Sequence, residues 1–419
     1  MAGWLRGGAG LGVIPVEEHV RRILDAVAPL PPVELAVDEA QDCVLAEDVV
    51  SPLDLPGFDN SAMDGYAVRV ADVAGADRRS PVTLPVVGDI PAGNTERHVL
   101  GRGEALRIMT GAPMPEGAEA VVQVENTDHG VVDVAVFAPV ERGQHVRRSG
   151  GDVRQGQLVL EADTVIGPAQ VALLFAVGRR RVRVHPKPRV AVISTGTELV
   201  HGRLPGFGEV IDSNGPMLAA CAQDAGAVVF RVEAVPDDPQ AVMTALTEQL
   251  VRADALITTG GVSAGAYDTV KEVLSRLGTV RFDKVAMQPG MPQGFGTLGE
   301  SSTPIFTLPG NPVSSFVSFE VFVRPALRKL AGHHGLFRRT EHAVAVEEWT
   351  APAGKTQFAR AVVGLDGEGR RTVRTIGPQG SHVLGGLAHA NCLAVVPEDV
   401  TQVRVGDLVR CLLLERGRR

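Results

Sequence analysis

The chemistry-bearing residues of this sequence gather at three turns, each following an apolar run: VAVISTGTEL, ALITTGGVSAGAYD and IFTLPGNPVSS. Each run reads as a strand and each turn as the connection to a helix, with Gly260, Gly261 and Ser263 in the second turn and Gly310 and Asn311 in the third. Backbone N–H groups exposed at such a turn donate to a phosphate or another oxyanion without any lysine. Carboxylates follow the same strand ends: Glu198 after STGT, Asp268 after GGVSAGAY, and Asp237 in VPDDP. Acidic groups beside phosphate-binding turns suit Mg²⁺, which takes one or two carboxylates and completes its shell with water and substrate oxygens. Each feature also has a plainer use. A glycine turn can simply join strand to helix, and Asp237 or Asp238 before Pro239 can simply cap one. The joint polarity of three turns on one sheet edge favours a pocket.

Two other glycine patterns carry no such chemistry. GFGTLG, from Gly294 to Gly299, fits G-x-G-x-x-G but lies between two short strands with no helix after it, so it reads as a hairpin. The sequence holds no G-x-x-x-x-G-K-[ST] string, which excludes a P-loop nucleotide hydrolase.

The turns need a sheet to hold them. Between about 188 and 332, strand-like and helix-like runs alternate, which predicts a mainly parallel sheet covered by helices on both faces, with ligands at the carboxyl ends of its strands. Before it, PVEEHVRRILDAVAPL places Val16, Val20, Ile23, Leu24 and Val27 on one helical face. From about Val37 to Val184 short strands broken by Gly, Pro and Asp dominate, except for the helix-like IGPAQVALLFAVG. After about Glu341, HAVAVEE, FARAVV, TVRTI, CLAVVPE and LVRCLLL predict a small β-barrel or sandwich.

Composition bounds the function. The 419 residues, 44% hydrophobic and 21% charged, suit about three folded units of a globular protein. A net charge of −8 argues against a nucleic-acid surface, so an anionic substrate needs a local cationic or metal-bearing pocket. Cys43, Cys221, Cys392 and Cys411 are too scattered to form a zinc site and read as buried thiols. No run approaches the ~18 apolar residues of a membrane span. The N-terminal MAGWLRGGAGLG has glycines where a signal peptide has its apolar segment, so residues 1–14 read as a disordered tail on a cytoplasmic protein.

Longer strings carry a resemblance: SPLDLPGFDNSAMDGYAV, RIMTGAPMPEGAEAVVQVE, ISTGTEL, TTGGVSAGAYD, LPGNPVSSF and QGSH, in that order. Together they resemble the molybdopterin molybdenumtransferases, bacterial enzymes similar to the E domain of gephyrin, over nearly the whole chain from Pro15. The fold so implied is multidomain α/β plus β. It has a helical, extended dimerisation part at 15–55 and 141–187, an inserted β domain at 56–140, a three-layer α/β molybdopterin-binding domain at 188–332 and a β-barrel-like domain at 333–419. The implied activity inserts molybdate into adenylylated molybdopterin with Mg²⁺-dependent release of AMP. A homodimer is implied, with a cleft between subunits, and a molybdopterin adenylyltransferase and molybdoenzyme clients become candidate partners. By motif, Asp59, Thr110 and Asp152 line the cleft, while Glu198, Asp237 and Asp268 hold the metal or the nucleotide phosphate. Lys284, Ser314, Arg360 and Ser381 surround the pterin phosphate or the molybdate, with Gln288 and Pro289 beside them. Two alternatives are an adenylyltransferase of the same pathway and a gephyrin-like scaffold. The first is disfavoured by Gly260-Gly261-Val262-Ser263 in place of G-G-T-G and by the large flanking β regions.

The sequence departs from the family at Gln288 in MQPGMP, where a lysine is usual, and Met291 is also uncharged. A missing cation beside a dianion weakens binding by about 0.5–1 kcal/mol when partly exposed. Gln288→Lys is therefore expected to lower, a few-fold, the molybdate needed for half-maximal AMP release, and the gain should shrink with added salt. A higher requirement would show that position 288 does not face molybdate.

Overall fold

The computed structural model describes residues 12–261, 269–276 and 279–414, so Ser263 and Asp268 lie outside the described residues, as does most of the N-terminal tail. The chain divides into two compact units, one of Met1–Val33, Asp42–Val44 and Val184–Arg419, the other of Glu34–Gln41 and Leu45–Arg183.

The first unit is built on a seven-stranded sheet. Its elements in chain order are β1 (Val13–Ile14), α1 (Val16–Ala26), β2 (Arg189–Thr195), α2 (Asn214–Asp224), β3 (Val228–Val235), α3 (Pro239–Leu250), β4 (Ala255–Thr259), α4 (Thr269–Arg276), β5 (Val280–Val285), β6 (Pro292–Leu298) and β7 (Thr303–Leu308). The sheet order is β1-β5-β6-β7-β4-β2-β3. Pairings among β7, β4, β2 and β3 are parallel, while β6 runs antiparallel to both neighbours. The GFGTLG string falls within β6 and its turn into β7, a hairpin and not a dinucleotide loop. β4 (ALITT) is buried at every position because helices cover both faces, and such a strand reads as a continuous apolar run and not an alternating one.

One face of the sheet packs Val190, Val192, Ile257 and Phe306 against Ile23 of α1 and Leu218 of α2. The other packs Ala191, Ile193 and Leu256 against Val242 and Leu246 of α3 and Leu274 of α4. After β7 the chain enters α5 (Pro312–Ser318), a π-helical stretch over Phe319–Val323, and α6 (Arg324–Leu330). There Glu320, 2% exposed, is held by Arg338 Nε at 2.8 Å. Arg338 and Arg324 also reach Asp224 at 2.8 and 2.9 Å.

The C-terminal strands are β8 (Thr340–Ala345), β9 (Thr356–Leu365), β10 (Arg371–Thr375), β11 (Cys392–Val396) and β12 (Leu408–Leu413). They pair in the ring β9-β10-β8-β12-β11-β9, a closed five-stranded barrel. Ala343, Ala359, Ala361, Cys392 and Ala394 fill it with small side chains. All four cysteines are free and buried.

The second unit carries a five-stranded sheet ordered Asp133–Val136, Val82–Ile90, Ala105–Ile108, Gly65–Val68 and Ala120–Gln123. Buried Tyr66 anchors it by donating its hydroxyl to the Gly130 carbonyl at 2.9 Å. The helix Pro168–Ala176 forms as its sequence predicts, yet only Leu174 of its apolar residues is buried. No helix among the described residues is long and apolar enough to cross a membrane.

The inner face of α1 contains a residue that the apolar pattern left out. His19, 2% exposed, sits beside Val16 and Ile23, edge-on to Phe322 with centroids 4.8 Å apart. Its Nδ1 is 3.8 Å from Asp283 and makes no hydrogen bond. Burial pulls its pKa from 6.5 down to about 4, against the opposing pull of Asp283 and with help from Arg22. The folded state keeps His19 neutral while the unfolded chain takes up a proton below pH 6.5, so stability should fall as pH drops from about 6.5 toward 4. A shift of this size corresponds to on the order of 3 kcal/mol. Replacing His19 with phenylalanine should flatten this part of the pH dependence in thermal unfolding; an unchanged slope would show that His19 is solvated or protonated in the fold.

Candidate functional site

At the carboxyl edge of the sheet the ends of β2, β4 and β7 surround a cavity of about 690 Å³. Its floor is Thr195, Gly196, Thr259, Gly260 and Gly310; Glu198, Asp212 and Asp237 bring carboxylates, and no Lys or Arg is among the described lining residues. Asp237 and Thr197 lock the turn after β2 to the turn after β3 reciprocally, Thr197 N–H donating to Asp237 Oδ2 at 3.3 Å and Asp237 N–H to Thr197 Oγ1 at 3.1 Å. The adjacent carboxylate does the capping: Asp238 Oδ1 accepts from Ala241 N–H at 2.8 Å ahead of Pro239 in the first turn of α3. Asp237 is thereby left facing the cavity. Behind the floor, Thr259 Oγ1 contacts Ser315 Oγ at 3.0 Å and the Pro309 carbonyl at 3.2 Å.

The barrel supplies the remaining wall through His382 and Leu384. The loop that carries them is held by Arg360, which is fully buried in β9. Its Nη1 donates to the carbonyls of Gly380 and Val383 at 3.0 and 2.7 Å, and Nη2 to that of Pro378. Gln379 clamps the Arg360 backbone from both sides. No carboxylate appears among these contacts, Nε has no partner, and burial alone pulls the guanidinium pKa down. Next to it Asn311 Nδ2 donates to Ser381 Oγ at 3.1 Å, and Val313 N–H to the Ser381 carbonyl at 3.1 Å.

In the second unit three distant strings are joined. Asn60-Ser61 pairs with Val146-Arg147, and Gly111 N–H donates to the Ser61 carbonyl at 2.8 Å. Asp59 receives Ser149 N–H at 2.8 Å and Arg148 Nη1 at 2.6 Å, and these bonds, the backbone one foremost, hold its carboxyl below the usual range. Asp64 is lowered likewise by the Thr110 N–H and hydroxyl, both at 2.7 Å.

Residues 14–178 match the family described as "MoeA N-terminal region (domain I and II)", 191–329 the "Probable molybdopterin binding domain", and 342–414 the "MoeA C-terminal region (domain IV)". Molybdopterin molybdenumtransferase 2 of Mycobacterium tuberculosis is 48% identical over 398 residues, covering 93% of this chain and 97% of the relative. The chain belongs to the molybdopterin molybdenumtransferase family. A relative of that name in Staphylococcus aureus is 34% identical, covering 96% of both chains. A molybdopterin biosynthesis protein from Pyrococcus horikoshii, of known crystal structure, superposes with a TM-score of 0.79 at 30% identity, over 97% of this chain and 100% of that one.

Measured against the family motifs, Glu198, Asp237, Gly260, Gly261 and Gly310 come together around the cavity. Asn311 and Ser381 meet beside it. Ser314 is buried in α5, its neighbour Ser315 making the contacts to the cavity floor. Lys284 and Gln288 are exposed and, like Pro289, outside the cavity lining; Lys284 lies opposite Pro292 in the sheet and Gln288 opposite Gln357 of the barrel. Asp59, Thr110 and the exposed Asp152 belong to the second unit. Sequence reasoning missed Asp212, Asn214, Thr259 and His382. The string IDSN, a carboxylate and an amide between a short strand and a helix, was the available signal for the first two.

The two adjacent aspartates should separate in stability. Asp238→Ala removes a cap and is expected to cost about 1 kcal/mol, whereas Asp237→Asn keeps an acceptor for Thr197 and should stay within about 0.5 kcal/mol. Thermal unfolding of the two variants decides, and equal losses would return Asp237 to a purely structural role.

Proposed function

We propose that this chain inserts molybdate into the dithiolene of adenylylated molybdopterin and hydrolyses the adenylate bond, releasing AMP. The observation that carries this reading is the acidic, glycine-floored cavity at the sheet edge, in a chain similar over its full length to named molybdenumtransferases. Free backbone donors at the strand ends suit phosphate oxygens. Glu198 and Asp237 would hold Mg²⁺, which would neutralise the phosphate charge that a cavity without described Lys or Arg leaves uncompensated. Buried Arg360 would act by fixing the loop that carries Ser381, whose hydroxyl suits a tetrahedral oxyanion, and by lending its uncompensated positive charge beneath it. Asp59, Thr110 and Asp152 would contribute from the second unit, consistent with the hydrogen bonds that hold the Asp59 carboxyl below the usual range. Asp268 and Ser263 retain the roles that the motif gives them.

The same reading includes a cytoplasmic homodimer in which the cleft is shared between subunits, with the four-part division of the chain given by its motifs. A homodimer is supported by the helix Pro168–Ala176, whose Ala172, Phe175 and Ala176 are exposed although the helix carries no charge. Surfaces of that kind mark an association face. An adenylyltransferase would deliver the substrate, and molybdoenzymes would receive the product.

Purified protein incubated with adenylylated molybdopterin and Mg²⁺ should release AMP only when molybdate is added, and Asp237→Asn should lower the rate at least about 100-fold, as removal of one preorganised charge-stabilising group does. Release independent of molybdate would favour a hydrolase, and none at all would sink the proposal. Light scattering should show a dimer that Phe175→Glu dissociates.

A further inference from the structure

The glycine turns do not account for all of the cavity's polarity. Asp212, 7% exposed, accepts both Ser194 Oγ at 3.0 Å and Gly215 N–H at 2.9 Å on one oxygen, Oδ1, which leaves Oδ2 without a donor among the described residues. Two residues on, Asn214 donates Nδ2 to Thr259 Oγ1 at 3.0 Å and to the Gly310 carbonyl at 2.6 Å, and its buried Oδ1 has no partner. Turning the amide over would set its oxygen against the Gly310 carbonyl, so the hydrogen-bond pattern itself assigns the orientation. Both residues line the cavity. Gly215 makes room for this arrangement: a Cβ there would lie 2.5 Å from Asp212 Oδ2 and 2.8 Å from Ser194 Oγ.

Two acceptors lacking donors, one of them charged, repel a phosphate oxygen and select a ligand that brings its own hydrogens. The rest of the cavity has other preferences. Backbone donors and the Glu198–Asp237 pair lie at the strand ends, while Leu199, Val210, Ile211 and Leu384 present apolar surface. Donors for a phosphate, acceptors for hydroxyls and an apolar wall for a flat ring correspond to the three parts of a ribonucleotide. We propose that the Asp212–Asn214 turn is the ribose subsite, with Asp212 Oδ2 and Asn214 Oδ1 each accepting one hydroxyl of the 2′,3′-cis-diol. This rests on the adenylylated substrate proposed above and adds the residues that read its sugar.

Titration calorimetry on the full chain with Mg²⁺ and AMP, 2′-deoxyAMP or 3′-deoxyAMP tests it. Wild type should bind AMP about tenfold more tightly than either deoxynucleotide, the loss expected when a buried charged or polar acceptor is left unpaired. Asp212→Asn turns a donor edge toward the sugar and should bring AMP down to the level of the deoxynucleotides, while the affinity for inorganic pyrophosphate stays unchanged. Asn214→Ala should remove part of the same discrimination and decides the matter if Asp212→Asn does not fold. Equal wild-type affinity for the three nucleotides, with molybdate-dependent AMP release intact, would overturn the subsite and leave the substrate reading standing. Loss of pyrophosphate binding together with AMP binding in Asp212→Asn would make Asp212 a structural residue. Absence of both AMP binding and molybdate-dependent release would sink both proposals.

Discussion

Everything at the sheet edge depends on a close backbone approach that leaves no room for a side chain. Gly260 has φ +101°, and a Cβ on it would lie 2.3 Å from the Thr195 carbonyl oxygen. With that space open, β2 and β4 end side by side: Thr195 Oγ1 bonds the Thr259 carbonyl at 3.3 Å, and Gly260 N–H bonds the Leu308 carbonyl at 3.2 Å. Three parallel strands therefore stop at one level, and the helices that follow begin around a common space. An alanine at Gly260 would have to move one strand end, and the turns that carry Glu198 and Gly310 would move with it.

A second constraint comes from the barrel. The loop of Pro378–Val383 has no regular partner of its own, and Arg360 supplies one by reaching three of its carbonyls from inside β9. Position and sequence are linked through the barrel register: Arg360 pairs with Leu393, and small residues flank it on β9 at Ala359 and Ala361. As its neighbours along the strand, those alanines point to the opposite face and fill the barrel, while the guanidinium lies against the loop. His382 arrives at the cavity, and Ser381 beside it, on a loop fixed by a charge, without a helix or strand of their own.

Much of this was legible in the sequence. Alternating apolar runs gave the α/β sheet, the absence of a helix after GFGTLG gave the hairpin, and short C-terminal strands gave the barrel, because each follows from a period or a chain break that is local. The polar turns likewise announced Glu198, Asp237 and the glycines. What stayed hidden depends on contacts between distant segments. Val16, Val20 and Ile23 marked a face of α1, but only Phe322 and Asp283, some 300 and 260 positions away, place His19 inside it. Asp237 and Asp238 were equivalent as capping candidates until the bond to Ala241 distinguished them. Arg360 was named by its motif, but its burial could not be read there because the loop that encloses it comes about twenty residues later.

Charge is distributed so that the two proposed ligands differ in what they must bring. The cavity has carboxylates and, among its described lining residues, no Lys or Arg, so a cation entering with an anionic group would offset the repulsion from those carboxylates. Arg360 poses the opposite problem. Carbonyl dipoles satisfy most of its hydrogens but carry no net charge, and a guanidinium removed from water with no carboxylate among its contacts in the described residues stays electrostatically strained, in keeping with its lowered pKa. An anion close to the buried guanidinium relieves that strain, whereas a cation there deepens it. Under the proposed function, the barrel side would take the free oxyanion and the sheet edge a metal-bound phosphate. On that reading one substrate anion would be held apart from the other although both are negative, because the two sites differ in charge.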